Sequence, residues 1–209
     1  MRMITTVKQM ARQLKDAIVY HLNKDIAKRA DRAQKEVREF TRIFLKGTET
    51  YKSLTKGGGL QGDFGFPAGE ENKFADWFID TIADNINVKS DIMRVRSNDY
   101  FGSVYVTLPY EAYDKLMNGI YAHVPIKGGS IPWTEWLLKR GDEIIIHDYH
   151  LVFEEREGRT GYAIMGKGGS WKMPAKYSGT ENDNFITRTI YDSDQYLKAL
   201  LKILARNLL

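Results

Sequence analysis

Residues 131–190 read IPWTEWLLKRGDEIIIHDYHLVFEEREGRTGYAIMGKGGSWKMPAKYSGTENDNFITRTI. Pro132 precedes Trp133, Trp136, Leu137 and Leu138, which predicts a short helix with proline in its first turn, ended by Gly141. Glu143–Phe153 carries the run Ile144-Ile145-Ile146, which predicts a strand buried on both faces. The chain then turns at Glu154–Gly158, returns over Thr160–Met165, turns again at Gly166–Ser170 and adds a short strand at Trp171–Met173. Asn182 or Asp183 is placed to cap a last helix through Leu208, with Phe185, Ile186, Ile190, Tyr196, Leu197, Leu200, Leu201 and Leu204 as its apolar positions. Strands returning by tight turns beside helices predict an α+β fold: an antiparallel sheet packed against helices, with a long N-terminal helix and a C-terminal helix.

Upstream, residues 4–46 contain neither glycine nor proline. Apolar residues recur at steps of three and four from Ile4 through Val7, Met10, Leu14, Ile18, Ile26, Ala33, Val37 and Phe44, one helical stripe. From Ile26 onward the steps are heptad-like. A continuous helix here would be ~60 Å long at 1.5 Å per residue. It either breaks near His21–Lys24 or projects as an arm, and an arm with an apolar seam needs a partner, most simply another copy of the chain. Residues 47–73 are rich in glycine and read as a long, mobile loop, in which Leu60, Phe64 and Phe66 are out of place unless they dock on something. From Phe74 a helix resumes through Trp77, Phe78, Ile82 and Ile86, ending near Asn87. Asp91–Arg96 and Tyr100–Leu108 alternate around Ser97-Asn98-Asp99 as a hairpin. Tyr110–Met117 reads as a short helix closed by Asn118-Gly119, and Tyr121–Val124 as a strand. This divides the chain into a helical arm (1–46), a glycine-rich loop (47–73) and an α+β core (74–209). No internal repeat is found.

Composition narrows the function classes. The 209 residues are 43% hydrophobic and 28% charged, ordinary for a soluble globular chain. No apolar run approaches the ~18 residues of a membrane span, and MRMITTVKQMARQLKD is too polar for a signal-peptide core. The protein is therefore expected in the cytosol or in a particle assembled there, with no membrane partner. The absence of cysteine removes disulfides, thiol catalysis and cysteine-based zinc sites. The net charge of +4 equals the balance of Lys24–Lys46 alone, eight Lys/Arg against four Asp/Glu. Such a segment suits nucleic acid or an acidic partner, although most charged helix faces are simply solvated.

Apparent chemical motifs dissolve on inspection. Gly57–Gly62 fits G-x-G-x-x-G but follows a helix, whereas the nucleotide fingerprint lies between a strand and the helix it opens. Gly161–Gly168 nearly fits a P-loop, yet Gly168 stands where a magnesium-holding hydroxyl belongs. His147 and His150 fall on opposite faces of a regular strand and share an ion only if a bulge intervenes. His21 reads as a packed residue on the helical stripe, and His123 precedes Pro125 without a partner in view. Glu135, Glu154 and Glu155 are acid/base candidates, the last two beside Arg156, with His147 able to face Glu155. No Gly-x-Ser-x-Gly elbow is present. The expectation is a non-enzymatic protein with no cofactor and no metal. The four tryptophans and twelve tyrosines are plentiful. Core packing is the default for them, and one or two could anchor a subunit interface.

Ile131-Pro132-Trp133 with Trp136-Leu137-Leu138, Gly141-Asp142, Arg159-Thr160-Gly161, Trp171 with Pro174, Gly179-Thr180 and Asn184-Phe185-Ile186-Thr187-Arg188 together resemble the neck and tail-completion proteins of tailed bacteriophages. The resemblance spans roughly the last 80 residues, and no single motif in it is diagnostic. It implies a virion structural protein, a homo-oligomeric ring of six or twelve subunits at the neck or the head-proximal end of the tail. Its partners would be neck, portal-adaptor, tail-tube or sheath proteins, with non-specific proximity to DNA. The long basic N-terminal helix departs from a plain tail terminator and suits a head-proximal position. A ring needs heterologous contacts. The candidate interface residues are Leu60, Phe64, Phe66, Trp133, Trp136, Arg159, Trp171, Phe185 and Arg188. Candidates to face the DNA channel or a connector are Lys28, Arg29, Arg32, Lys35 and Arg38. The alternative reading is a nucleic-acid-binding module acting through the same helix, although a single-strand binder would interleave its basic and aromatic residues.

Overall fold

The computed structural model describes residues 7–55, 57–91, 93–96, 99–141, 143–153 and 158–208. Helix α1 (Val7–Lys46) is followed by α2 (Glu49–Leu54), α3 (Gly59–Phe64) and α4 (Glu71–Asn85). Strands β1 (Asn87–Ser90), β2 (Arg94–Arg96), β3 (Asp99–Phe101) and β4 (Val104–Thr107) come next, then α5 (Tyr110–Asn118). The chain continues through β5 (Val124–Ile126), β6 (Gly129–Ile131), α6 (Trp133–Leu138), β7 (Ile144–Phe153) and β8 (Ala163–Lys172). It closes with a π-helical turn (Thr187–Tyr191) and α7 (Asp194–Leu208). The α+β class holds, with the long N-terminal and C-terminal helices in place. The strands form four separate antiparallel pairs among the described residues, β1–β4, β2–β3, β5–β6 and β7–β8, and do not merge into one sheet.

α1 is unbroken, as the lack of Gly and Pro permits, and Gly47 ends it by donating to Ile43 O at 3.1 Å. Thr48 starts the next helix at once, its hydroxyl accepting from Tyr51 N at 3.2 Å. The segment expected as a mobile loop is thus largely helical. Ser53 Oγ accepts from Leu60 N, and Gln61 Oε1 accepts from Gly57 N, so side chains replace the backbone partners that a loop would lack. Gly65 ends α3 at φ 67°, a left-handed conformation costly for other residues, and a Cβ there would lie 2.5 Å from Arg159 Nη2.

The core gathers around Trp133, which is fully buried. Its indole N–H donates to Tyr121 O at 2.6 Å. Phe66, Phe78 and Phe64 pack on it with ring centroids 5.1, 5.2 and 5.6 Å away, and Phe66 stacks on Phe74 at 4.7 Å. Burying one such aromatic side chain contributes on the order of 4–6 kcal/mol of transfer free energy, before entropy. One continuous cluster of buried residues runs from Ala33 to Leu200 and crosses the divisions expected at 46 and 73. The carboxyl half of α1 is therefore core, not arm. α7 crosses it at Tyr196, whose ring stacks on Phe40 at 5.3 Å. Thr41 Oγ1 donates to Val37 O, so the 2.7 Å contact between Thr41 and Tyr196 hydroxyls has the tyrosine as donor.

The expected hairpin starts four residues early. β1 and β4 pair from Asn87↔Thr107 to Ser90↔Val104, and β2 and β3 extend the arm as Arg94↔Phe101 to Arg96↔Asp99. The Ser97-Asn98 turn lies outside the described residues, as do Ile4, Ile92 and Asp142. The expected strand at Tyr121–Val124 lies later, as the β5–β6 hairpin.

β7 and β8 form a ten-residue ribbon, so the two strands expected over Thr160–Met173 are one. Burial on both faces is corrected: Ile144 is 41% exposed, and Ile145 and Ile146 are half-buried. A two-stranded ribbon has only one face to lay on the body, here against α3. The last helix is also corrected. Its cap is Asn184, not Asn182 or Asp183, with Oδ1 accepting from Ile186 N at 2.9 Å. The helix passes into the π-helical turn, and α7 restarts with Ser193 Oγ accepting from Tyr196 N.

Asp63, on α3, is nearly buried. Burial pushes its carboxyl up to about 7. The indole of Trp171 approaches and opposes the shift without reaching hydrogen-bond geometry. In the unfolded chain the carboxyl titrates near ~4, so between about pH 4 and 7 the folded state binds the extra proton. Stability from this group is complete below ~4 and is lost as pH rises through about 7, roughly 3–4 kcal/mol in all. Urea unfolding of the wild type is expected to show this loss between pH 4 and 8. Asp63→Asn should flatten it, and an unchanged pH dependence in the variant would contradict the assignment.

Candidate functional site

α1 has two halves with different surroundings. From Asn23 onward it is fastened to the body. Asn23 Oδ1 accepts from Met93 N at 2.7 Å, and Gln34 Oε1 accepts from Val88 N at 3.2 Å. Arg42 sits among three carboxylates, at 2.5 Å from Glu39, 2.7 Å from Asp80 and 2.6 Å from Asp84, and these raise its pKa, the Asp80 hydrogen bond most. Lys46 pairs with Asp76 at 2.8 Å, which also accepts from Tyr51 Oη. Glu36 accepts from Arg206 and Asn207 of α7, and its pKa is lowered chiefly by the Asn207 hydrogen bond, then by Arg206.

The amino half of α1 is largely exposed, with Met10 at 52% and Leu14 at 63%. Ala17 and His21 are exposed as well, so His21 is not the packed residue expected. At 100° per residue, Met10, Leu14, Ala17 and His21 form one line. Ile26, Ala30, Ala33 and Val37, which face the body, lie roughly on the opposite side. The single stripe read from the sequence is therefore two stripes on two faces, and a straight helix can lay only one on its own body.

The outward line continues into charge. Lys24, Lys28, Arg32 and Lys35 extend it, all exposed, with Arg29 beside it. Arg32 has a loose contact to Glu36 at 3.7 Å. Arg38 is a correction: its Nε donates to Ile86 O at 2.9 Å and Nη2 to Asn87 Oδ1 at 3.4 Å, so it fastens β1 to α1 and does not face a channel.

The aromatic and leucine interface candidates are corrected too. Leu60, Phe64, Phe66 and Trp133 are fully buried, and Trp136, Trp171 and Phe185 nearly so, all within the chain's own core. Each has intramolecular partners that consume its apolar surface, and Trp136 is covered by Arg140 at 5.2 Å. Arg188 is held by Asp183, with Nη2 to Oδ2 at 2.8 Å, and donates to Ser178 O at 3.1 Å. Arg159 donates to Pro125 O and stays exposed. Of the nine, only Arg159 and Arg188 keep surface for a neighbour.

The chemical candidates do not converge. Glu135 pairs with Arg140 at 2.7 Å. Glu154, Glu155 and Arg156 lie outside the described residues. A bulge does fall between the two strand histidines, at Asp148 with φ 63°, but His150 Nδ1 is engaged by Gly168 O at 2.9 Å. Among the described residues no group of three His, Asp or Glu could hold a metal, and no helix is long and apolar enough to cross a membrane. Gly161–Gly168 runs into β8, where the backbone is paired and cannot cradle phosphates. Comparison of the chain with protein-family models, curated proteins and solved structures finds no match.

Sequence reading missed Arg42 and Asp63, and gave Arg38 an outward role in place of its bond to β1. Arg42 carries a signal, since Asp76, Asp80 and Asp84 repeat every four residues and ask for a basic strip opposite, which Arg42 and Lys46 supply. Asp63 carries none. Phe66→Ala is expected to cost about 3–5 kcal/mol of monomer stability, measured by urea unfolding of dilute protein. A variant that unfolds like wild type but fails to assemble would return Phe66 to an interface.

Proposed function

We propose that the protein is a non-enzymatic structural subunit of a tailed-phage virion. It assembles as a ring of six or twelve copies at the neck or the head-proximal end of the tail, around the DNA channel. The observation that carries the reading is the outward line of α1, apolar from Met10 to His21 and basic from Lys24 to Lys35. An apolar stripe turned away from its own body suits a second protein surface. Docking the stripe of each copy on a different patch of the next is a heterologous contact, the kind that closes rings. The motifs of residues 131–188 shared in pattern with neck and tail-completion proteins supply the virion setting.

A second reading rests on the basic part of that line alone. Four exposed cations spaced at three and four residues track phosphates without reading bases, as a nucleic-acid-binding module would.

Two variants separate the readings. Met10→Asp with Leu14→Asp alters only exposed positions, so thermal stability should move by no more than about 0.5 kcal/mol. Light scattering across concentration, with and without neck or tail partners, should show the wild type in rings and this variant as monomer. Lys28→Glu with Arg32→Glu and Lys35→Glu should leave the monomer folded and reduce the salt slope of DNA binding by about three charges. Rings unaffected by the first variant would remove the α1 line as the ring contact. A wild type that forms no ring even with those partners would remove the assembly reading, and tight DNA binding by the monomer would favour the second.

A further inference from the structure

A cavity of about 400 Å³ opens between α3, the β5–β6 hairpin and the inner face of the β7–β8 ribbon. Its wall is apolar, formed by Ile131, Ile146, Leu151, Met165 and Trp171, with the backbone of Gly62 and Gly65 closing one side. The volume lies in the range of small-molecule sites, about 300–1,000 Å³. Two cations, Arg159 and Lys127, stand on its lining, and both are exposed on their outer side.

Arg159 differs from the carboxylate-paired arginines Arg42 and Arg188. Arg42 and Arg188 each face carboxylates, whereas Arg159 has no carboxylate within ion-pair distance among the described residues. Among the described residues only Nη1 is engaged, by Pro125 O, out of five N–H donors. Its pKa is lowered by burial, which marks partial desolvation with no counter-charge among the described residues. A guanidinium with a free edge matches one carboxylate bidentately. An apolar wall beneath it matches a hydrocarbon or aromatic body.

We propose that this cavity binds a small amphiphilic carboxylate, with its apolar body against Ile146, Leu151 and Trp171 and its carboxylate on the free edge of Arg159. This is independent of the ring and of the α1 line. The site is formed within one chain and needs no second copy.

The test is calorimetric titration of the full chain with decanoate below its micelle concentration, beside decanol of the same chain length. Saturable 1:1 binding of decanoate, at least tenfold tighter than decanol and weakened at least tenfold by Arg159→Gln, is the expected result. Absence of saturable decanoate binding, equal binding of decanol, or unchanged binding by Arg159→Gln would each overturn the proposal. Should Arg159→Gln fail to fold, the decanoate–decanol comparison on the wild type decides alone.

Discussion

Trp133 is the point on which the rest of the chain converges. A buried indole must both fill space and satisfy its N–H. The carbonyl of Tyr121 meets the N–H, which ties α6 to the connection after α5. Phe64 arrives from the end of α3 and Phe66 from just after it, Phe78 from α4, and Phe185 reaches the same cluster through Phe78. Four distant stretches of chain are placed by one side chain. The glycine-rich stretch must fold down for this to happen, which is why it becomes two capped helices rather than a loop.

Arginines do the corresponding work at the surface. Arg38 reaches a carbonyl and an amide, Arg42 spans a helix and its neighbour, and Arg188 holds Asp183 while also binding Ser178 O. A planar group with five donors can satisfy several acceptors at fixed angles, which a lysine cannot. The net charge of the α1 segment therefore overstates what is free to meet a partner. Arg38, Arg42 and Lys46 are spent inside the fold, and the free cations are concentrated between Lys24 and Lys35.

This division gives α1 two roles along its length. Its carboxyl half is core, its amino half presents an apolar line to the outside, and the basic line joins them on the outward face. A helix without Gly or Pro carries both because it is one rigid rod. The β7–β8 ribbon shows the same economy. Its inner face rests on α3 and walls the cavity beside Arg159, while Tyr149, Phe153 and Ile164 stay partly exposed on a two-stranded element with open edges.

Local pattern alone determined the α+β class, the presence of a long N-terminal helix, the positions of α4, α5 and α6, and the absence of thiol chemistry. Each follows from spacing, capping or composition, which are properties of neighbouring residues. Tertiary structure decided what pattern cannot carry. Phe64 and Phe66 look like exposed docking residues until Trp133, about seventy positions later, covers them. Ile144–Ile146 looks doubly buried until the strand proves to have one neighbour and no sheet. Two stripes on α1 read as one because steps of three and four are the same in both, and only the body's position tells which face is inside. The apolar interface candidates proved to be core for that reason: apolar character is written in the residue, but whether its surface is already spent depends on contacts far along the chain.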